Sequence, residues 1–456
     1  MEYENRTENP LGVLPVPVLL KKFAVPSIIA MLTSALYNIV DQFFIGNSVG
    51  ALGNAATNIA FPLSTACISI ALLFGIGGAS AFNLAKGRGN EEEAVHCMGN
   101  AITGMMVLGC LLLLVTQLFL EPMIRFFGAP DSIMEYAKTY IRITSLGFPV
   151  LILTAGGGHL IRADGSPKMS MICNVTGAII NTILDALFVF GFEWGMAGAA
   201  WATVIGQYIS VMLVIRYLSH CKTVDLKPKH LKPAAGYMKK DVTLGAASCS
   251  NQLAMMVVQL VMNKSLTYYG ALSSYGQEIP LACAGIITKV NQVFFSIIIG
   301  ISQGLQPIVS YNYGAKQYDR VKKGYLLAAK SGLMISVIAF LIFQIFPRQI
   351  IAIFGNGSEE YIRFAVSYFR IFLFFTFLNF IQPITSNSFT AIGKPGLGMF
   401  LSLTRQILFL LPLIVILPFF IGIDGILFAG PIADGLAGAV AVFLMYRELK
   451  RPEYQV

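Results

Sequence analysis

The sequence predicts an all-α integral membrane protein, with twelve transmembrane helices in two pseudo-symmetric six-helix lobes. Three observations carry this expectation. Of 456 residues, 56% are hydrophobic and only 12% charged, with mean hydropathy +0.70, above what a water-soluble domain tolerates. Apolar runs of about 20 residues, enough to cross roughly 30 Å of hydrocarbon as helix, recur along nearly the whole chain. The two halves of the chain also resemble each other at a nearly constant offset.

The first six spans are placed at 18–46, 52–84, 93–120, 134–161, 167–191 and 196–219, and the second six at 240–269, 279–310, 322–346, 361–388, 396–419 and 425–447. The first apolar run leads into a second without a small-residue cleavage site, so it is expected to remain as a spanning helix. Runs longer than the bilayer needs can tilt or project. The polar stretch "HCKTVDLKPKHLKPAAGYMKK", 220–240, is the long linker of the chain. It sets the expected domains: an N-terminal lobe over 1–219, a cytoplasmic linker over 220–239 and a C-terminal lobe over 240–456.

Charge orients the spans. Lys and Arg collect in every second loop, for example Lys86 and Arg88, Arg162 and Lys168, Lys222 to Lys240, Lys316 to Lys323, and Arg447 to Arg451. The intervening loops, near Glu121, Glu193, Glu278, Glu359 and Asp424, are poor in them. This positive-inside pattern places both termini in the cytoplasm, and the expected location is a cytoplasmic (inner) membrane. The net charge of +9 therefore points to membrane topology and not to nucleic acid. Seven cysteines, an odd number without C-x-x-C spacing, argue against a disulfide framework or a metal site.

The internal repeat is read from short matches. "SAFNLAKG" at 80–87 aligns with "SYNYGAKQ" at 310–317, and Phe127-Gly128 with Phe354-Gly355. Tyr140, Arg142 and Ile143 align with Tyr368, Arg370 and Ile371, and "ADGSP" at 163–167 with "AIGKP" at 391–395. Each unit has an even number of spans, so the two lie in the same orientation about an axis along the membrane normal. That architecture suits a rocking transporter with a cleft between its lobes.

Between Phe23 and Gly46 the single charged residue is Asp41. Asp41 lies four residues after Tyr37 and Asp185 four after Asn181, so each pair shares a helix face; Thr203 and Gln207 repeat the spacing in span six. Counted from Lys22 and Lys168 at 1.5 Å per residue, both carboxyls reach roughly 26 to 28 Å from the cytoplasmic end. An ionised carboxylate at a helix centre costs about 2.5 to 3.5 kcal/mol in lipid, so it survives only facing protein, water or a cation. Low-polarity surroundings and a second carboxyl favour neutralisation by a proton, and Tyr, Asn and Thr oxygens also suit a hard monovalent cation. The plainer alternative is a hydrogen-bonded network that fixes helix packing. Pro26, early in span one, is either a hinge or a static kink.

The second half departs from the first, because Val261 and Leu413 occupy the repeat positions of Asp41 and Asp185. Ion coupling is therefore expected in the first lobe alone. Arg405 and Asp434 come to similar depths in spans eleven and twelve and are expected to form a structural ion pair. Candidates for the substrate cleft are Gln42, Gln207, Gln259, Met255, Met262, Lys289, Asn291 and Gln292. For Lys289 snorkelling or pairing with Asp434 remain alternatives, and for the methionines so does membrane core.

The stretches "LYNIVDQFFIG", "GASAFNLAKG", "GLQPIVSYNYGAKQ", "RADGSPKMSM" and "IINTILDALFVFG", in this order, resemble the multidrug and toxic compound extrusion (MATE) family, in its MepA-like bacterial branch. The resemblance covers nearly the whole chain. It implies a MATE-like fold that exports amphipathic, often cationic, organic compounds in exchange for H+ or Na+ by alternating access. It also implies a first-lobe cation network at Tyr37, Asp41, Asn181, Asp185 and Thr203. No cofactor beyond the coupling ion is expected; the partners expected are small organic molecules and the bilayer, and the chain is expected to be monomeric. A lipid-linked oligosaccharide flippase of the same wider superfamily is the alternative, kept open by Lys289 and Arg405. No HExxH, nucleophile elbow or Walker motif is present, so no enzymatic activity is indicated.

Overall fold

The computed structural model describes residues 9–353 and 358–454. Among the described residues, twelve helical segments are long and apolar enough to cross a membrane. They are α1 (Val16–Ser48), α2 (Leu52–Gly87), α3 (Glu91–Leu118), α4 (Asp131–Ala163), α5 (Pro167–Gly191), α6 (Gly195–Leu218), α7 (Ala235–Ala271), α8 (Glu278–Gly314), α9 (Tyr318–Ile345), α10 (Glu359–Ala391), α11 (Pro395–Ile421) and α12 (Ile423–Leu449). Every expected span is present, most with added turns at their ends. At 37 residues each, α7 and α8 are about 55 Å long, so they project beyond the hydrocarbon.

Local signals explain several boundaries. Asn90 caps α3, its Oδ1 accepting from the Glu93 amide at 3.1 Å, and Glu91, Glu92 and Glu93 place negative charge at the positive end of the helix dipole. In the "ADGSP" and "AIGKP" turns, Gly165 and Gly393 adopt φ of 86° and 77°, and Pro167 and Pro395 then start α5 and α11 with the missing N–H where none is needed.

The repeat extends to irregularities. Three-residue 3-10 turns interrupt α4 at Ser145–Gly147 and α10 at Thr376–Leu378. π-helical segments follow Asp185 in α5 (Ala186–Gly191) and include Arg405 in α11 (Thr404–Leu410). Seven-residue helices, Leu120–Phe126 and Pro347–Ile353, occupy corresponding connections. Of the aligned pairs, Phe354-Gly355 lies outside the described residues.

Among the described residues two large apolar cores form, with a small third cluster of Ala81, Leu84, Cys97 and Leu244 between them. One is built from Ile45 to Leu218 and the other from Val258 to Tyr454, but Leu11, Leu19, Leu20, Phe23 and Ala24 join the second core. The inner part of α1 thus crosses the boundary expected at residue 219. It is held there by α8, where Gly300 and Gly304 lack the Cβ atoms that would lie 2.6 and 2.5 Å from the Cα atoms of Ile28 and Ala24; helices in lipid associate through such small-residue contacts.

Polar contacts between the two sets of six helices, among the described residues, lie on the side that carries the chain ends. Gln306 Nε2 donates to Ser80 Oγ at 2.8 Å and to the Ile76 carbonyl at 3.1 Å, Asn312 Nδ2 donates to the Leu11 carbonyl at 2.9 Å, and Lys240 pairs with Glu93 at 2.6 Å. Gln303 with Met31 is the last such contact toward the opposite side. A cleft between the lobes would therefore open away from the termini.

The linker is not a free tether. Asp164 accepts from the Tyr217 hydroxyl and the Lys222 amide, both at 2.7 Å, and from the Thr223 amide at 3.1 Å. Farther along, Asn100 Oδ1 accepts from the Ala234 amide at 2.7 Å and Thr103 Oγ1 donates to the Leu231 carbonyl at 2.6 Å. The two Lys-Pro pairs of a polar sequence gave no sign of this docking, because its partners are on α3 and α4.

Candidate functional site

Three helices of the first lobe bring five of the sequence-derived site residues together. α5 and α6 cross where Gly177 and Gly206 face each other. A Cβ on Gly177 would lie 2.1 Å from Ser210 Oγ, and one on Gly206 would lie 2.9 Å from the Gly177 carbonyl oxygen. Because the backbones meet there, Asn181 Nδ2 reaches Thr203 Oγ1 at 3.2 Å. Tyr37 of α1 lies beside the same threonine and within electrostatic reach of both Asp41 and Asp185. A Gly206→Val substitution should push the helices apart and abolish efflux while the protein still inserts; transport assays beside a size-exclusion profile check this.

The two acids are shut away from solvent, Asp41 at 8% exposure and Asp185 at 0%. Asp41 Oδ1, both carboxyl oxygens of Asp185, Asn181 Oδ1 and Gln207 Oε1 are buried without a hydrogen-bond partner among the described residues. No lysine or arginine acts on either acid. The nearest like charge is mutual, since Asp41 acts on Asp185. A permanent structural network would have used these oxygens up. The unsatisfied set, all oxygen, fits a proton on a carboxyl group or a monovalent hard cation.

A cavity of about 100 Å³ lies beside the cluster, lined by Ser34, Tyr37, Asn174, Asn181, Thr203 and Gln207 among others. Spacing arguments missed Tyr140 of α4, which faces Tyr37, Asp41 and Asp185. Its one sequence signal was the match to Tyr368 in the repeat. They also missed Asn174, about two turns below Asn181 on the same face of α5.

In the second lobe, Arg405 Nε donates to Asp434 Oδ1 at 2.5 Å, with side chains 15% and 2% exposed. Oriented to donate, the Asn379 amide reaches Asp434 Oδ2 at 3.0 Å. Lys289, half-buried, has no partner among the described residues, so the alternative of pairing with Asp434 is not realised. Val261 and Leu413 pack against the second core, in keeping with a lobe that has no acid at those positions.

The cleft candidates separate. Gln42 is half-buried, Met255 and Gln292 are exposed, and Asn291 is half-buried with Oδ1 unpartnered. Gln259 Nε2 donates to Asn263 Oδ1 at 3.0 Å. Met262 is 6% exposed inside the second core, on the helix face it shares with Val258 and Leu266, as the membrane-core alternative has it. Pro26 is buried between Ala24 and Ile28, where α8 grips α1, and α1 runs through it as continuous helix.

Comparison with known proteins agrees with this arrangement. The MatE family model matches residues 26–187 and 247–416. The chain is 25% identical over 427 residues to the multidrug export protein MepA of Staphylococcus haemolyticus strain JCSC1435, covering 93% of this chain and 92% of that one. It is 24% identical over 435 residues to MepA of Staphylococcus aureus strain MSSA476, covering 95% and 94%. Among solved structures it is similar to the MATE multidrug transporter DinF-BH in complex with R6G, with TM-score 0.90, 32% identity, and 99% and 100% of the two chains covered. A multi-pass, two-lobed protein with a polar first-lobe cluster, matched by the family model over most of its length, belongs to the MatE family of multidrug efflux transporters.

Proposed function

We propose that this chain exports amphipathic, often cationic, organic compounds in exchange for protons or sodium ions, with the ion taken up by Asp41 and Asp185. The carrying observation is the set of buried, unpartnered oxygens on Asp41, Asp185 and Asn181. Two intramembrane carboxyls without a basic neighbour are too costly to keep for packing alone.

The cycle follows from charge. This reading takes the termini as cytoplasmic and the structure as an outward-open state. An ion entering from outside neutralises the acids, and the lobe then holds a cationic compound less firmly. The compound leaves outward, the lobes close and reopen inward, and the ion is released on the cytoplasmic side. Since α8 clamps Ala24 and Ile28 around Pro26, bending of α1 on neutralisation falls outward of Ile28 and not at the proline. Arg405 has its charge committed to Asp434, which leaves the flippase alternative with Lys289 alone.

The test is efflux of ethidium or R6G from proteoliposomes, with proton and sodium gradients collapsed separately. Collapse of one gradient should stop efflux and collapse of the other should not. Efflux indifferent to both gradients would reject ion exchange.

A further inference from the structure

A third acid with buried, unpartnered oxygens lies where the lobes meet. Asp241, near the start of α7, is 0% exposed, and neither carboxyl oxygen has a hydrogen-bond partner among the described residues. Its position is at the closed end of the cleft. The α2 backbone comes so near that a Cβ on Gly77 would lie 1.9 Å from the Asp241 carbonyl oxygen, and one turn on, a Cβ on Gly245 would lie 1.7 Å from the Leu73 carbonyl oxygen. Separating the lobes at this end necessarily lets water reach the carboxyl group.

While the gap is shut the carboxyl group has no hydrogen-bond partner among the described residues, and its one cationic neighbour is Lys240. On α7 itself, Lys240 is engaged by Glu93 of α3 at 2.6 Å. The titratable neighbours on α3 are Cys97, within electrostatic reach of Asp241, together with Glu93 and with His96, whose ring stacks on Tyr237. The facing stretch of α2, Leu73 to Leu84, contains no charged residue, α8 presents Tyr313, and Pro395–Leu403 of α11 carries none. The one charged residue farther along α11, Arg405, is bound to Asp434. A carboxyl group in that setting is accommodated only in its neutral form.

We propose that Asp241 is a protonation site of the inner gate: it holds a proton while the lobes are closed at the terminal side and gives it to the cytoplasm when they part. It is distinct from the Asp41 and Asp185 pair, and because it loads and unloads on one side of the membrane it adds nothing to the ion stoichiometry. Its effect is on the conformational equilibrium. The closed gate binds one more proton than the open gate, so alkaline cytoplasm favours opening, and the open-to-closed ratio changes by up to about tenfold per pH unit while the group titrates.

This rests on the alternating-access reading above, and one experiment separates the two. Spin labels are placed at Arg88 and Gln317, both exposed on the terminal side of opposite lobes, in a cysteine-free chain in nanodiscs. The distance is then measured against pH. In the Asp41→Asn/Asp185→Asn chain, the long-distance population is expected to grow as pH rises, and adding Asp241→Asn should remove that growth. Asp241→Ser, smaller and equally unable to titrate, serves if the asparagine variant does not assemble. An unchanged pH response without Asp241, or none with it in the double variant while the parent chain still moves, overturns the proposal. A parent chain whose distance never changes, with pH or with an organic cation, overturns alternating access instead.

Discussion

Asp185→Asn is expected to reduce ion-driven efflux by on the order of 100-fold or more, and Asp41→Asn to do the same, with little change in thermal stability. The substitution keeps shape and removes the group proposed to load the ion. Driving a two-state transporter from one face to the other requires several kcal/mol of differential binding between its states. Without a titrating carboxyl, that difference vanishes. Stability should hold, since both oxygens of Asp185 are buried without partners and no native hydrogen bond is broken by the exchange. The check is ΔpH- or Na+-driven efflux from proteoliposomes beside a thermal melt of the same preparations. If both variants transported at the parent rate, the first-lobe acids would not be the coupling site. A collapse in melting temperature would mark them as packing residues.

The largest stability loss is expected at the opposite lobe. Arg405→Met leaves Asp434, 2% exposed at its side chain, without its cation, and removal of one partner from a buried pair costs about 3 to 5 kcal/mol. The Asn379 amide offsets part of that cost but supplies no charge. Arg405→Met/Asp434→Leu removes both charges and should recover most of the loss, since a well-packed apolar pair is often as stable as a buried ion pair. Thermal unfolding of the two single variants and the double variant forms the cycle. A loss in the double variant equal to the sum of the two single losses would show that the charges are not coupled. The same series bears on function: if the pair is structural, the double variant should retain efflux.

Much of this protein was legible before folding. Twelve spans, the duplication and the faces shared by Tyr37 with Asp41 and Asn181 with Asp185 follow from composition and helical periodicity, which the bilayer enforces by leaving backbone groups no alternative partner. Even Arg405 and Asp434 could be brought to one depth by counting residues. Periodicity assigns a residue to a face of its own helix, but not the helix that face meets. Tyr140 came into the first-lobe cluster, and Met262 went into the second core, through packing between helices distant in sequence. Asp241 follows two lysines at the start of its span, and its burial came from neighbours at Gly77 and Cys97, more than 140 residues away. Sequence alone determined the class, the repeat and the acids; tertiary contact decided which acids lost their water, because desolvation depends on neighbours that no local pattern specifies.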